Sequence, residues 1–279
     1  MARPYRDKLS WTRTLLLCAV AGLLIYLLVV VYDQTAKADA APEPVAAGVI
    51  PSARELMEVS GANGIPVAYS HFRVNFNPQL HIPNHVAWEL TAAETEGGTE
   101  RGTFTSDPDV EGCATKADYT GSGYDRGHMA PAADMKFSPE AMAECFLMTN
   151  IAPQSHALNG GAWKKLEEKC RQWACADSAI IIVCGPVLTP EPTEFIGRNR
   201  VAVPNAFFKV ILSPFANPPR AIGFIMPNAR VEGGMQAAAV SVDSVEAITG
   251  LDFFSALPDS IEAIVEQQNN FHYWTTLKK

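Results

Sequence analysis

Positive charge is scarce in this chain: 22 Lys and Arg face 30 Asp and Glu, for a formal net charge of −8. The first 40 residues are themselves slightly basic, so the remainder is near −10. A protein that coats nucleic acid stoichiometrically needs a broad basic surface, because each neutralised phosphate takes a cation. The composition argues against that class. An enzyme that must release its product can work with a local cationic cluster on an acidic body. Glycine-rich loops of the P-loop or dinucleotide type are also missing, which removes the common nucleotide-binding α/β folds. There is no internal repeat, hence no solenoid. No paired Cys-x-x-Cys knuckle is present, so Cys170 and Cys175 with nearby His156 make a weak zinc set. Charged residues are only 19 % and hydrophobic residues 48 %, which excludes wholesale disorder and allows a substantial core.

One long apolar run is present, from Thr14 to Tyr32, without a charged residue. Its length suits a single membrane-spanning helix. Arg3, Arg6, Lys8 and Arg13 precede it, so the positive-inside bias puts residues 1–13 in the cytoplasm and everything after the run on the extracytoplasmic side. A cleaved signal peptide is the rival reading, with Ala38-Asp39-Ala40 in the small-x-small form of a cleavage site. The run is longer than a usual signal core, which favours an uncleaved signal anchor. Residues 33–50 are rich in Ala and Pro and read as a linker, leaving 51–279 as the catalytic domain. Cys18 lies in the apolar run. Cys113, Cys145, Cys170, Cys175 and Cys184 lie beyond it, and five thiols allow at most two intrachain disulfides. Cys184 ends the apolar stretch from Ala179 and reads as a buried thiol.

Within 51–279, Ser52 to Val59 reads as a short helix, and Val67 to Phe76 and Val86 to Thr91 as strands joined through Asn77 to Asn84. Glu94 to Tyr124 is polar and glycine-rich, so it reads mostly as loop. Trp163, Leu166, Cys170 and Trp173 recur at spacings of three and four, which predicts a helix over Gly160 to Cys175 with Asn159 at its N-cap. Ala179 to Leu188, Val201 to Leu212 and Arg220 to Pro227 read as strands. Val242 to Thr249 and Ser260 to Gln268 read as helices, capped by Ser241 and Asp259 and separated by Pro258. Strands on both sides of a central helix, without β-α-β alternation, predict an α+β fold with a largely antiparallel sheet.

Chemistry concentrates in Tyr124-Asp125-Arg126-Gly127-His128-Met129-Ala130-Pro131. An acid, a permanent cation and an imidazole fall within four positions. A second polar block, Thr149-Asn150-Ile151-Ala152-Pro153-Gln154, is followed by Asn159, Trp163 and Glu167, each four apart and so on one broad side of a helix. Phosphodiester hydrolysis needs a base for water and a cation for the phosphoryl and leaving oxygens. His128 suits the base, since an ordinary imidazole titrates near neutrality, which predicts activity falling below roughly pH 6 to 7. Arg126 suits the phosphate as a forked, fixed charge. Asn159 and Glu167 offer oxygens to a hard divalent metal or to its waters.

The run Asp125-Arg126-Gly127-His128 resembles the signature of the DNA/RNA non-specific endonuclease family, which includes the Serratia-type nuclease and mitochondrial endonuclease G. Asn150-Ile-Ala-Pro-Gln154 with Asn159, Trp163 and Leu166-Glu167 resembles the family's second block. Arg101, in Arg101-Gly-Thr-Phe104-Thr-Ser-Asp107, resembles its upstream arginine segment, and Ser241 to Phe254 its C-terminal segment. The likeness spans roughly Ile65 to His272. It implies a ββα-metal (His-Me finger) fold and sequence-nonspecific cleavage of DNA or RNA to 5′-phosphate ends. It further implies His128 as general base, and Asn159 as the direct protein ligand of one Mg²⁺, with Mn²⁺ as a substitute. Glu167 would orient the metal's waters, Arg126 and Arg101 would bind the phosphate, and Asn150 would position the base. It also makes a homodimer an expectation.

Each of these residues has an ordinary reading as well. His128 alone would more often be a half-buried structural histidine. Arg126 could pair with Asp125 or Asp134. Trp163 and Trp173 read as core, and His71, His81, His85, His156 and His272 as structural or surface residues. The functional reading wins on the ordered set. Two other classes remain: a phosphodiesterase for small exported substrates, and an inactive relative that only binds nucleic acid.

Overall fold

Seven antiparallel strands form one sheet in the computed structural model, which describes residues 50–275. In chain order they are β1 (Ile65–Ala68), β2 (Arg73–Asn77), β3 (Ile82–Thr91), β6 (Ala179–Val187), β7 (Ala206–Ser213), β8 (Arg220–Pro227) and β9 (Ala239–Val240). Across the sheet the order is β9-β8-β7-β6-β3-β2-β1. Between β3 and β6 the chain leaves the sheet to make a separate hairpin, β4 (Asp125–His128) with β5 (Ile151–Gln154), and then the long helix α1 (Lys164–Asp177). This is a ββα unit set on an α+β scaffold. Residues 14–32 lie outside the described residues. Among the described residues no helix is long and apolar enough to cross a membrane.

The sheet is buried on both faces, and its composition explains how. Ala179–Val187 is apolar throughout and buried along its whole length, as a central strand covered on both sides must be. Alternate residues of β7 divide between two cores. Phe207 and Ile211 join Trp88, Trp163, Leu166 and Trp173 on one face, where α1 packs. Phe208, Val210 and Leu212 join Phe253, Phe254, Val245 and Val265 on the other. That second face is covered by α2 (Val242–Thr249) and α3 (Asp259–Glu266). The side chain of Ser241 caps α2 and Gly250 ends it in the left-handed conformation, at φ +71°, which glycine adopts at no steric cost.

Several boundaries differ from expectation. Val67 to Phe76 is a hairpin of two strands, because Tyr69 N–H bonds the Phe72 carbonyl across a turn that contains no Gly, Pro or Asn to announce it. The strand read from Val86 starts at Ile82 and includes Pro83. Val201 to Leu212 breaks at Pro204-Asn205, so Val201–Val203 pairs with Glu194–Ile196 outside the main sheet. The segment Pro139–Cys145 is a helix that the periodicity did not indicate, although Ser138 at its N-cap and Pro139 at its first position are start signals. The five cysteines of the described region are free thiols. Cys184 is buried, as its apolar setting implied.

Candidate active site

His128 ends strand β4, and its register with Ile151 places the motif beside the second polar block. Gly127 faces Ala152 in that ladder and is buried. A Cβ at Gly127 would stand 2.3 Å from Gln154 Oε1 and 2.4 Å from its Cγ and Cδ. The glycine of the motif is thus a packing requirement, because the wholly buried Gln154 side chain occupies the space. Gly127→Ala should cost about 1–3 kcal/mol by overpacking, read as a lowered thermal midpoint. An unchanged midpoint would show that Gln154 can move aside freely.

Asn150 lies directly behind the base and is fully buried. Its Oδ1 accepts from Ala130 N–H at 2.9 Å, and its Nδ2 donates to the carbonyls of Ala130 and Cys145 at 2.9 and 2.8 Å. The Met129 N–H donates to the Asn150 carbonyl at 2.9 Å. Both residues after His128 are therefore clamped, and the base is held through its backbone. The imidazole packs against Phe146 edge-on, with ring centroids 4.7 Å apart, and against Phe104 at 5.2 Å. Its Nε2 is sealed from solvent without a partner. Burial, and then the positive charge of Arg101, push the imidazole down to about 3. This shift favours the neutral ring and moves its protonation below the roughly pH 6 to 7 expected of an ordinary imidazole.

Asn159 is not the N-cap of a regular helix. It lies in a π-helical turn, Leu158–Trp163, in which Gly161 has non-helical angles, and α1 starts only after it. The turn breaks the simple four-residue spacing. Trp163 points into the core and is fully buried, while Asn159 and Glu167 line the cleft. Asn159 Nδ2 donates to Asp125 Oδ2 at 2.9 Å, and His156 Nδ1 meets the same oxygen at 2.9 Å. With its nitrogen committed to Asp125, Asn159 keeps Oδ1 as the atom free for a ligand. Asp125 and His156 thus support the site, a role that no local sequence signal gave to His156. Single-turn π geometry of this kind recurs at functional positions.

Arg101, Arg126, His128, Asn159 and Glu167 all line one cleft of about 490 Å³. Arg126 is held by a bond from Nη2 to the Lys116 carbonyl at 3.1 Å and lies over the Phe104 ring, 5.4 Å from its centroid. It pairs with neither Asp125 nor Asp134. Arg101 is exposed and lies 5.3 Å from the Phe146 ring centroid. A larger cavity, about 830 Å³, is lined by Glu168, Lys169, Arg171, Cys175, Trp173 and Trp274 among others, and it holds neither His128 nor Asn159.

Beneath the cleft lies a charged cluster. Glu167 is pushed up to about 7 by burial, against the pull of Lys209. Asp134 is also raised by burial, although Arg171 bonds it at 2.8 Å and Trp88 Nε1 at 3.2 Å. Lys209 is fully buried, its Nζ 4.4 Å from the Trp163 ring centroid and 5.1 Å from that of Trp88. Burial alone would lower this lysine, but the acidic groups around it hold it above its ordinary value. The thiols of Cys170 and Cys184 are pushed up to about 12 by burial, which leaves Glu167 and Asp134 as the carboxyl groups that act on this ammonium. The donors suit a hard divalent cation: an amide oxygen oriented by Asp125, a carboxylate eight residues on, and no cysteine among the residues that line the cleft.

Comparison with known proteins agrees with this arrangement. The sequence profile of the DNA/RNA non-specific endonuclease family matches residues 53–260. The mitochondrial nuclease EXOG of Xenopus laevis is 34 % identical over 239 residues, covering 77 % of this chain and 66 % of that protein. Human mitochondrial endonuclease G is 37 % identical over 152 residues, covering 50 % of this chain and 51 % of its own. A nuclease of Nostoc sp. is 30 % identical over 215 residues, covering 71 % and 76 %. The chain spans less than two thirds of the EXOG proteins' own length. A solved structure of the EndoG/EndoGI complex, concerned with EndoG inhibition, matches with a TM-score of 0.68 at 27 % identity, over 76 % of this chain and 95 % of that one. The chain belongs to the DNA/RNA non-specific endonuclease family.

Proposed function

We propose that the domain is a metal-dependent, sequence-nonspecific endonuclease that hydrolyses DNA or RNA to 5′-phosphate ends. The observation that carries this reading is the convergence of Arg101, Arg126, His128, Asn159 and Glu167 on one cleft. Asn159 Oδ1 would hold Mg²⁺, or Mn²⁺ in its place, with Glu167 ordering its waters. The ion would supply positive charge against the phosphoryl and leaving oxygens.

The chain's own residues do the rest. With Nε2 sealed, His128 takes the proton of the attacking water at Nδ1. The clamp from Asn150 keeps the ring at the end of β4 while it does so. Arg126 and Arg101 bind the phosphate and offset the charge that grows on it. As water's oxygen bonds to phosphorus, the bond to the 3′-oxygen breaks and the 5′-phosphate stays on the downstream fragment.

The two arginines of the cleft, Arg101 and Arg126, suit the phosphate backbone, which every sequence shares. Supercoiled plasmid and single-stranded RNA should be cut to 5′-phosphate ends, scored by end-labelling with and without prior phosphatase. A small chromogenic diester should be hydrolysed far more slowly. Turnover of the small diester alone would replace this reading with that of a small-substrate phosphodiesterase.

The charge-free stretch 14–32 behind four basic residues supports an N-terminal anchor with the catalytic domain on the extracytoplasmic side. Retention of the chain in the membrane pellet after alkaline carbonate extraction tests this, and release would contradict it. The family resemblance supports a homodimer, which sedimentation in mild detergent reads directly, and a monomer there would contradict it.

A further inference from the structure

The face of the sheet opposite the cleft carries a second group of potential metal ligands. Asp243 and Glu246 stand three apart in α2 and so share one side of it. Glu266 is the last residue of α3. Carboxylate oxygens of the three all lie within 4.8 Å of one another. Asp243 is exposed, Glu246 half-buried and Glu266 only 6 % exposed.

Glu266 is the informative member. Its Oε1 is buried and has no hydrogen-bond partner. Among the described residues, the charged groups that act on it most strongly are the carboxylates of Glu246, Glu262, Asp243 and Asp252. Burial, and then these neighbours, push its carboxyl up to about 9. A buried anion set among other carboxylates is costly unless a proton or a cation relieves it. Glu246 already accepts the Phe253 N–H at 2.9 Å, which holds its carboxylate in place.

We propose that Asp243, Glu246 and Glu266 bind a divalent cation of the calcium class, which ties α2 to α3. Three hard oxygens and no sulfur or nitrogen fit calcium or magnesium rather than a softer metal. Calcium takes its oxygens at about 2.3–2.6 Å, so ligand atoms on opposite sides of the ion stand roughly 5 Å apart. The 4.8 Å limit of this set falls within that span without movement. The site joins the ends of two helices that cover the core of Phe208, Val210 and Phe253, so its role is to secure that cover. It shares no residue with the cleft.

The test is thermal unfolding of the EDTA-stripped full chain, with and without calcium. In wild type the midpoint should rise by roughly 5–10 °C at a concentration about 100-fold above Kd. The rise should disappear in the Asp243→Asn/Glu246→Gln variant, whose changes lie at exposed or half-exposed positions and should leave the fold intact. Glu266→Gln should have a higher midpoint without calcium and no response to it. Asn159→Ala, altered only in the cleft, should keep the full response. A wild-type chain that calcium does not stabilise would overturn the proposal. So would a response that survives in both carboxamide variants or vanishes in Asn159→Ala, since the ion would then be in the cleft.

Discussion

His128→Ala should lower kcat on plasmid DNA by about three orders of magnitude, within the range for loss of a positioned general base. The alanine variant should fold, because the clamp that fixes this segment runs through Asn150 and the backbone of Met129 and Ala130. KM should change little, since the proposed phosphate contacts are those of Arg126 and Arg101. The pH dependence carries a second signature. A base works unprotonated, and this imidazole is pushed down to about 3 by burial and by Arg101. Its protonation should therefore not reduce the rate between about pH 8 and pH 5. A fall of less than tenfold on mutation would remove His128 as the base. An acid limb near pH 6.5 in wild type, absent from a slow but active His128→Gln variant, would show that the ring is better solvated than its packing against Phe104 and Phe146 implies.

Lys209→Met should destabilise the chain by about 3–5 kcal/mol, the usual effect of removing one member of a buried charge set. For a domain of this size that is a fall in thermal midpoint of roughly 6–20 °C. The substitution preserves most of the volume between Trp88 and Trp163 but removes the buried ammonium that acts on both Glu167 and Asp134. Asp134 keeps its bond to Arg171, whereas Glu167 loses its main offset to burial. Its carboxyl then rises further above 7 and is neutral in more of the molecules at assay pH. Activity should consequently fall with stability, although Lys209 touches no substrate. A midpoint that stays level or rises would mean that Glu167 is already protonated and that the ammonium offsets little.

Much of this architecture is legible in the residues. The bounds of β8 and α2 match their sequence signals closely, because Ser241, Gly250 and the apolar run after Arg220 are local cues. What escaped notice depends on tertiary contacts. The turn after Tyr69 uses ordinary residues and is closed by strand pairing rather than by turn chemistry. Lys209 sits in the middle of Phe207-Phe208-Lys209-Val210-Ile211, where strand alternation gives no hint that a charge is buried between two indoles.

The site divides in the same way. Arg126, His128, Asn159 and Glu167 were readable as a motif, and the structure brings them and Arg101 to one cleft. The spacing of Asn159, Trp163 and Glu167 suggested a shared helical face, and the π-turn overrides it. Asp125 holding Asn159, His156 meeting that same carboxylate, and the phenylalanines that seal His128 come from separate parts of the chain. No local pattern joins them.

The most direct measurement is conversion of supercoiled plasmid by the full chain in Mg²⁺, in Mn²⁺ and in excess EDTA, with Asn159→Ala alongside. The account predicts rapid nicking and then fragmentation in either metal, and none in EDTA. It also predicts that Asn159→Ala needs much more metal and remains slower even when saturated. Cleavage that proceeds unchanged in EDTA, or an Asn159→Ala variant as active as wild type at low metal, would contradict it.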